Sequence, residues 1–156
     1  MGTTDTLEPG NAMPTAQAVE RVVQFFETLQ PSTLVQIPSI YSDGAYFKDP
    51  FNEVRGLPAV QQIFAHMYVA LAQPRFVVTE RVVQGNQCFL VWDFKFRFKR
   101  FDTSTEQTVR GTSHLRFAPD GRVHYHRDYW DAAEELYEKL PVLRHIMRWL
   151  KRRANS

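Results

Sequence analysis

The sequence predicts an α+β fold in which a curved antiparallel sheet wraps around N-terminal helices and leaves a cone with an internal apolar pocket. Three observations carry this expectation. Apolar residues recur at helical spacing up to about residue 71 and then switch to alternation, so helices precede strands instead of interleaving with them. One predicted strand places Leu90, Trp92, Phe94, Phe96 and Phe98 on a single face, and such a face has to be covered. Twelve Phe, six Tyr and three Trp in 156 residues call for a thick core or the lining of an apolar cavity.

The elements follow in order. Residues 1–13 are rich in Gly, Thr, Pro and Asn and read as a disordered tail. Thr15 is placed to cap a helix whose Val19, Val22, Val23, Phe26 and Leu29 share one side, and Pro31 ends it. Ser32 and Thr33 can cap a second, short helix limited by Pro38. A short strand is expected at residues 45–48, then an Asp49-Pro50 turn and Gly56. The next helix opens on Leu57-Pro58 and puts Val60, Ile63, Phe64, Met67 and Leu71 on one side. Four strands are expected over residues 75–83, 87–100, 107–117 and 122–130, with Pro119-Asp120-Gly121 turning between the last two. Asp131, three residues before Glu134, suits the cap of a terminal helix, and Pro141 opens another.

Composition excludes several classes of function. The single cysteine, Cys88, cannot form an intrachain disulfide, and no Cys/His spacing resembles a zinc site. No metal and no organic cofactor are expected. The N-terminal stretch lacks a basic region followed by an apolar one, and no apolar run approaches the roughly 18 residues of a membrane span. A cytoplasmic location is therefore expected. A net charge of +2 gives no case for nucleic acid. That charge is uneven, because Arg144, Arg148, Lys151, Arg152 and Arg153 follow Pro141 with no acidic residue among them. Residues 141–156 thus read as a basic C-terminal helix with Leu143, Ile146, Met147 and Leu150 on one side. It suits a cover for the mouth of the cone. Its residues 141–153 also suit peripheral contact with an anionic membrane surface, where Trp149 would sit at the interface.

The helix TAQAVERVVQFFETL, the segment AYFKDPFNEVRGLPAVQQIF and the meander ending in SHLRFAPDGRVHYHRDYW together resemble the SnoaL-like branch of the nuclear transport factor 2 superfamily. Ketosteroid isomerases share that cone fold. The resemblance covers roughly residues 15–131 and implies one SnoaL-like domain over residues 14–140. Isomerases, cyclases, dehydratases, hydrolases and pure binding proteins all use the fold, so the likeness implies no single activity. In ketosteroid isomerases the Asp of the Asp-Pro pair is the proton-shuttling base, and Asp49 stands at that position. The family's dienolate-binding tyrosine on the first helix is matched here by Phe26, and its protonated aspartic acid on the third meander strand by Ser113. A phenyl ring donates nothing and a serine hydroxyl is a far weaker acid, so the resemblance does not extend to ketosteroid isomerisation.

In the register the resemblance implies, Phe26, Trp92, Phe94, Phe96, Ser113, Leu115, His124 and Trp130 face a small apolar ligand. Asp49, His126 and Asp128 are the candidate catalytic residues. His126 and Asp128 lie two apart on one strand face, where a carboxylate can fix an imidazole tautomer and raise its basicity. Each candidate has a structural alternative. The His126–Asp128 pair can satisfy itself at a strand end, and an Asp before Pro commonly bonds the backbone N–H groups of its own turn. On the catalytic reading, Asp49→Asn and His126→Ala would each abolish turnover with little loss of stability. The outer face carries Asp93, Lys95, Arg97, Arg110, Thr112, His114 and Arg116, and the resemblance implies a homodimer formed through it. Two functions stay open: a cofactor-free isomerase, cyclase, dehydratase or hydrolase, and a non-catalytic module for a lipid-like ligand or a protein partner.

Overall fold

A computed structural model of the chain describes residues 13–100, 102–135 and, singly, 148, 152 and 154. The tail over residues 1–12 and the expected basic helix over residues 141–156, apart from those single positions, lie outside the described residues. Helix α1 (Thr15–Glu27) forms because Ala18, Val19, Val22, Val23 and Phe26 recur at three- and four-residue spacing and bury one side. Its cap position is Pro14, not Thr15, and no side chain caps it. Met13 belongs to the fold and not to the tail: its N–H donates to the Pro119 carbonyl at 3.0 Å.

A 3₁₀ turn over Pro31–Gln36 runs straight into helix α2 (Ile37–Ile40). Pro38 sits in the first turn of α2, where its missing N–H has no helical partner to lose, so it starts this piece instead of ending it. Strand β1 (Tyr41–Lys48) begins four residues earlier than residues 45–48, because Asp43-Gly44 lies within the strand and not in a turn before it. The unforeseen β2 (Glu53–Arg55) pairs antiparallel with it. Helix α3 (Leu57–Ala70) follows Gly56, whose φ of 99° few other residues adopt. Then come β3 (Leu71–Gln84), β4 (Gln87–Phe98), β5 (Gln107–Phe117), β6 (Val123–Tyr129) and the short α4 (Ala132–Glu135). Asp131 caps α4 as expected, accepting from the N–H groups of Ala133 and Glu134 at 3.0 and 3.1 Å.

The six strands form one curved, unclosed sheet in the order β2-β1-β6-β5-β4-β3. All neighbours are antiparallel except β1 and β6, which run parallel. Curvature comes from irregular pairing. In β3 the register shifts between Ala72 and Arg75, beside Pro74 and Gln73 at φ 52°, and again between Val78 and Glu80. The Val78 N–H near the second shift is taken by the Glu27 carboxylate of α1 at 3.2 Å, which ties the bend to the helix it wraps. The concave face and the helices enclose a core that includes Val22, Phe26, Tyr41, Val60, Leu90, Leu115 and Val123. Gly111 lies opposite Trp92, and a Cβ there would collide with the indole. Gly111→Ala should therefore cost about 1–3 kcal/mol in urea denaturation, whereas a variant as stable as the parent would place the indole elsewhere.

Candidate functional site

Between α1, α3 and the concave sheet face lies a cavity of about 320 Å³, near the lower end of the roughly 300–1,000 Å³ range of small-molecule sites. Phe26 of α1, Phe64 and Met67 of α3, Phe76 of β3, and Trp92, Phe94, Phe96 and Phe98 of β4 line it. The β4 alternation read from the sequence delivers four of these rings in a row. Phe76 bridges them, stacked on Phe94 at 4.4 Å and edge-on to Trp92 at 5.4 Å. Near residues 49–52 and 130, Phe51 meets Trp130 at 5.5 Å, edge to face.

The cavity wall is crossed by one continuous chain of polar side chains. The Trp92 indole N–H donates to Ser113 Oγ at 2.9 Å, and Ser113 Oγ donates to Asp128 Oδ1 at 2.5 Å. His126 Nε2 meets the same oxygen at 2.6 Å, and its Nδ1 meets the Tyr41 hydroxyl at 2.7 Å. Burial first, and the Asp128 charge second, hold the Tyr41 hydroxyl well above its ordinary pKa, so it keeps its proton. Fully enclosed, that proton has only Nδ1 to bond, which puts the imidazole proton on Nε2, pointing at the carboxylate. Every donor converges on Oδ1. Among the described residues, Asp128 Oδ2 has no hydrogen-bond partner, and the side chain, 16 % exposed, lines both the cavity and an adjoining open groove.

His126 lines the cavity beside Asp128 and is itself enclosed. It is 2 % exposed, both ring nitrogens are engaged, and its ring packs 4.6 Å from that of Phe47. It orients Asp128 and has no nitrogen left for a ligand. Asp49 lines the cavity, but its carboxylate bonds only its own turn. Oδ1 accepts from the N–H groups of Phe51 at 2.8 Å and Asn52 at 2.6 Å, and the Asn52 amide reaches both oxygens at 3.1 Å. Asp49→Ala should cost about 1–3 kcal/mol in chemical denaturation by freeing those donors, and a neutral result would contradict the turn-holding role.

Two expected ligand contacts fall elsewhere. His124 is exposed, because β6 carries an extra residue: Arg116 pairs with Tyr125 and Phe117 with Val123, so His124 bulges out and Val123 takes the inward place. Leu115 faces inward but is fully buried in the core and does not line the cavity. Phe26, Trp92, Phe94, Phe96, Ser113 and Trp130 do line it. Sequence reasoning missed Tyr41, Phe47, Phe64 and Phe76. Phe64 was visible on the apolar side of its helix and Phe47 in the short strand, but Tyr41 was hidden by the turn-like Ser42-Asp43-Gly44.

Comparison with known proteins agrees with this geometry. The family model described as a SnoaL-like domain matches residues 22–126. No curated protein matches the sequence. Among solved structures, a hypothetical protein from Catenulispora acidiphila with a ketosteroid isomerase-like fold, in complex with trimethylamine, is similar at 14 % identity and a TM-score of 0.65. That alignment covers 79 % of this chain and 92 % of the other. A putative SnoaL-like polyketide cyclase from a Jannaschia species aligns at 16 % identity and a TM-score of 0.65, over 85 % and 94 % of the two chains. An LEH-like epoxide hydrolase from M. tuberculosis aligns at 13 % identity and a TM-score of 0.62, over 78 % and 85 %. Identities this low speak for the fold alone. With the family model spanning α1 to β6, the chain belongs to the SnoaL-like domain family.

Proposed function

We propose that the protein is a cofactor-independent acid–base enzyme whose aromatic cavity holds a small apolar molecule and whose Asp128 exchanges a proton with it. The observation that supports this reading is the run Tyr41–His126–Asp128–Ser113, which fixes one oxygen of a carboxylate that lines the cavity. A carboxylate held by oriented donors in an apolar enclosure is a preorganised acid–base group. Isomerase, cyclase, dehydratase and hydrolase chemistry each needs such a base, at a C–H beside a carbonyl or at a water attacking an epoxide. A polyketide cyclase and an epoxide hydrolase stand among the structural neighbours. The second reading, a non-catalytic carrier, draws on Asp49: with that carboxylate committed to its turn, the cavity has one available carboxylate where the isomerase pattern implied more.

Two further parts belong to the proposal. The protein works in the cytoplasm, where its single buried Cys88 stays reduced. Two copies pair through the outer sheet face, where Phe89 stacks on His114 at 4.3 Å and is still 37 % exposed. No helix among the described residues is long and apolar enough to cross a membrane.

The test is a panel of small carbonyl compounds with acidic C–H bonds and of epoxides, followed by NMR in D₂O. Deuterium incorporation, cyclisation or ring opening above background in one class is the expected result. Saturable binding with every panel member unchanged would replace the enzyme reading with the carrier.

A further inference from the structure

The charge around the cavity narrows its ligand further than an apolar lining does, and this inference rests on the cavity being the ligand site. Two carboxylates border the cavity, Asp49 and Asp128, and among the described residues no Lys or Arg does. Asp128 Oδ1 is engaged by the Ser113 hydroxyl and by His126 Nε2, whose other nitrogen meets the enclosed Tyr41 hydroxyl. The backbone N–H groups on Asp49 disperse its charge without cancelling it. Lys48 and Arg127 border an adjoining open groove that Asp49, Asp128 and Trp130 also line; Lys48 is paired with Glu53 at 3.3 Å and Arg127 lies over the Tyr129 ring at 4.7 Å. The other arginines placed over rings cover Tyr46 and Tyr125, neither of which lines the cavity. Among the described residues, the titratable side chains that line the cavity are therefore Asp49, Asp128, His126 and His66 of α3.

A carboxylate in an apolar enclosure with no counter-charge is destabilised, and an occupant of opposite charge relieves it. The faces of Phe and Trp rings carry negative quadrupole potential and attract organic cations. Both features favour the same ligand and disfavour an anion. We infer that the cavity selects an organic cation, a protonated hydrophobic amine or a quaternary ammonium, with its charged nitrogen toward Asp128 and its hydrocarbon among Phe76, Trp92 and Phe94.

Three probes of similar size test this at pH 7 and low salt: benzyltrimethylammonium, its uncharged carbon isostere neopentylbenzene, and the anion 3-phenylpropanoate. Titrations are read at the Trp92 indole N–H by NMR. Benzyltrimethylammonium should bind about tenfold or more tighter than neopentylbenzene, with 3-phenylpropanoate weakest. Asp128→Asn should cut the cation's advantage at least about fivefold while leaving neopentylbenzene unchanged. Neopentylbenzene or 3-phenylpropanoate binding as tightly as the cation to the unaltered protein overturns the inference and leaves the cavity as a ligand site. If none of the three moves the Trp92 signal, both the inference and the cavity reading fall.

Discussion

Asp128→Asn is expected to lower turnover of whichever panel compound reacts by about 10²–10⁴-fold, the range that general acid–base catalysis supplies. The amide keeps the size of the carboxylate, and its oxygen can still accept from Ser113 and His126, whose partners lie at 2.5 and 2.6 Å. Folding should therefore be nearly untouched, with Tm changed by no more than about 2–4 °C, equivalent to about 1 kcal/mol in a domain of this size. The combination is diagnostic. Lost turnover with retained Tm and retained binding assigns the proton transfer to Asp128. Retained turnover removes Asp128 from the chemistry.

His126→Ala is expected to behave in the opposite way, with stability falling first. Removing the imidazole empties space beside Phe47, Phe26 and Tyr41, whose rings lie 4.6, 5.8 and 5.9 Å from it. It also strands the hydroxyl of Tyr41, which is fully enclosed and has no second partner among the described residues. The cost should be about 3–5 kcal/mol, or on the order of 10 °C in Tm. The catalytic reading of the sequence implied the reverse, lost turnover with little loss of stability, because it took His126, oriented by Asp128, as a base. Tyr41→Phe separates the two roles. It deletes one hydrogen bond, keeps the ring, and should cost about 1–3 kcal/mol with only a mild effect on turnover. In the double variant the two losses should add to less than their sum, since both act on the Tyr41–His126 contact. Full additivity would mean that the contact carries no energy.

Much of this architecture was legible from periodicity. The four meander strands and both long helices announce themselves by spacing, and β4 declares its inward rings outright. The departures share one cause: local insertions in pairing that no spacing rule encodes. The extra residue at His124 reverses the faces of β6 below it, so the alternation that correctly puts His126 and Asp128 inward misplaces His124. The same holds for β1, where a register shift between Tyr41 and Tyr46 absorbs Asp43-Gly44 into a strand and hides the residue that completes the hydrogen-bonded chain. Asp49 shows a different limit. Its position in the chain matched a catalytic carboxylate, yet the N–H groups of Phe51 and Asn52 in its own turn take up Oδ1.

The central claim is that the aromatic cavity is where the ligand sits, against Asp128. The most direct measurement is a titration with indole, a neutral aromatic, followed by NMR at the Trp92 indole N–H and the Ile63 and Met67 methyl groups, which line the cavity, and at the Val82 and Val83 methyl groups, which stand exposed near the β3–β4 turn. The account predicts saturable shifts at Trp92, Ile63 and Met67 with Val82 and Val83 unmoved. Shifts confined to Val82 and Val83, with the cavity signals still, would contradict it.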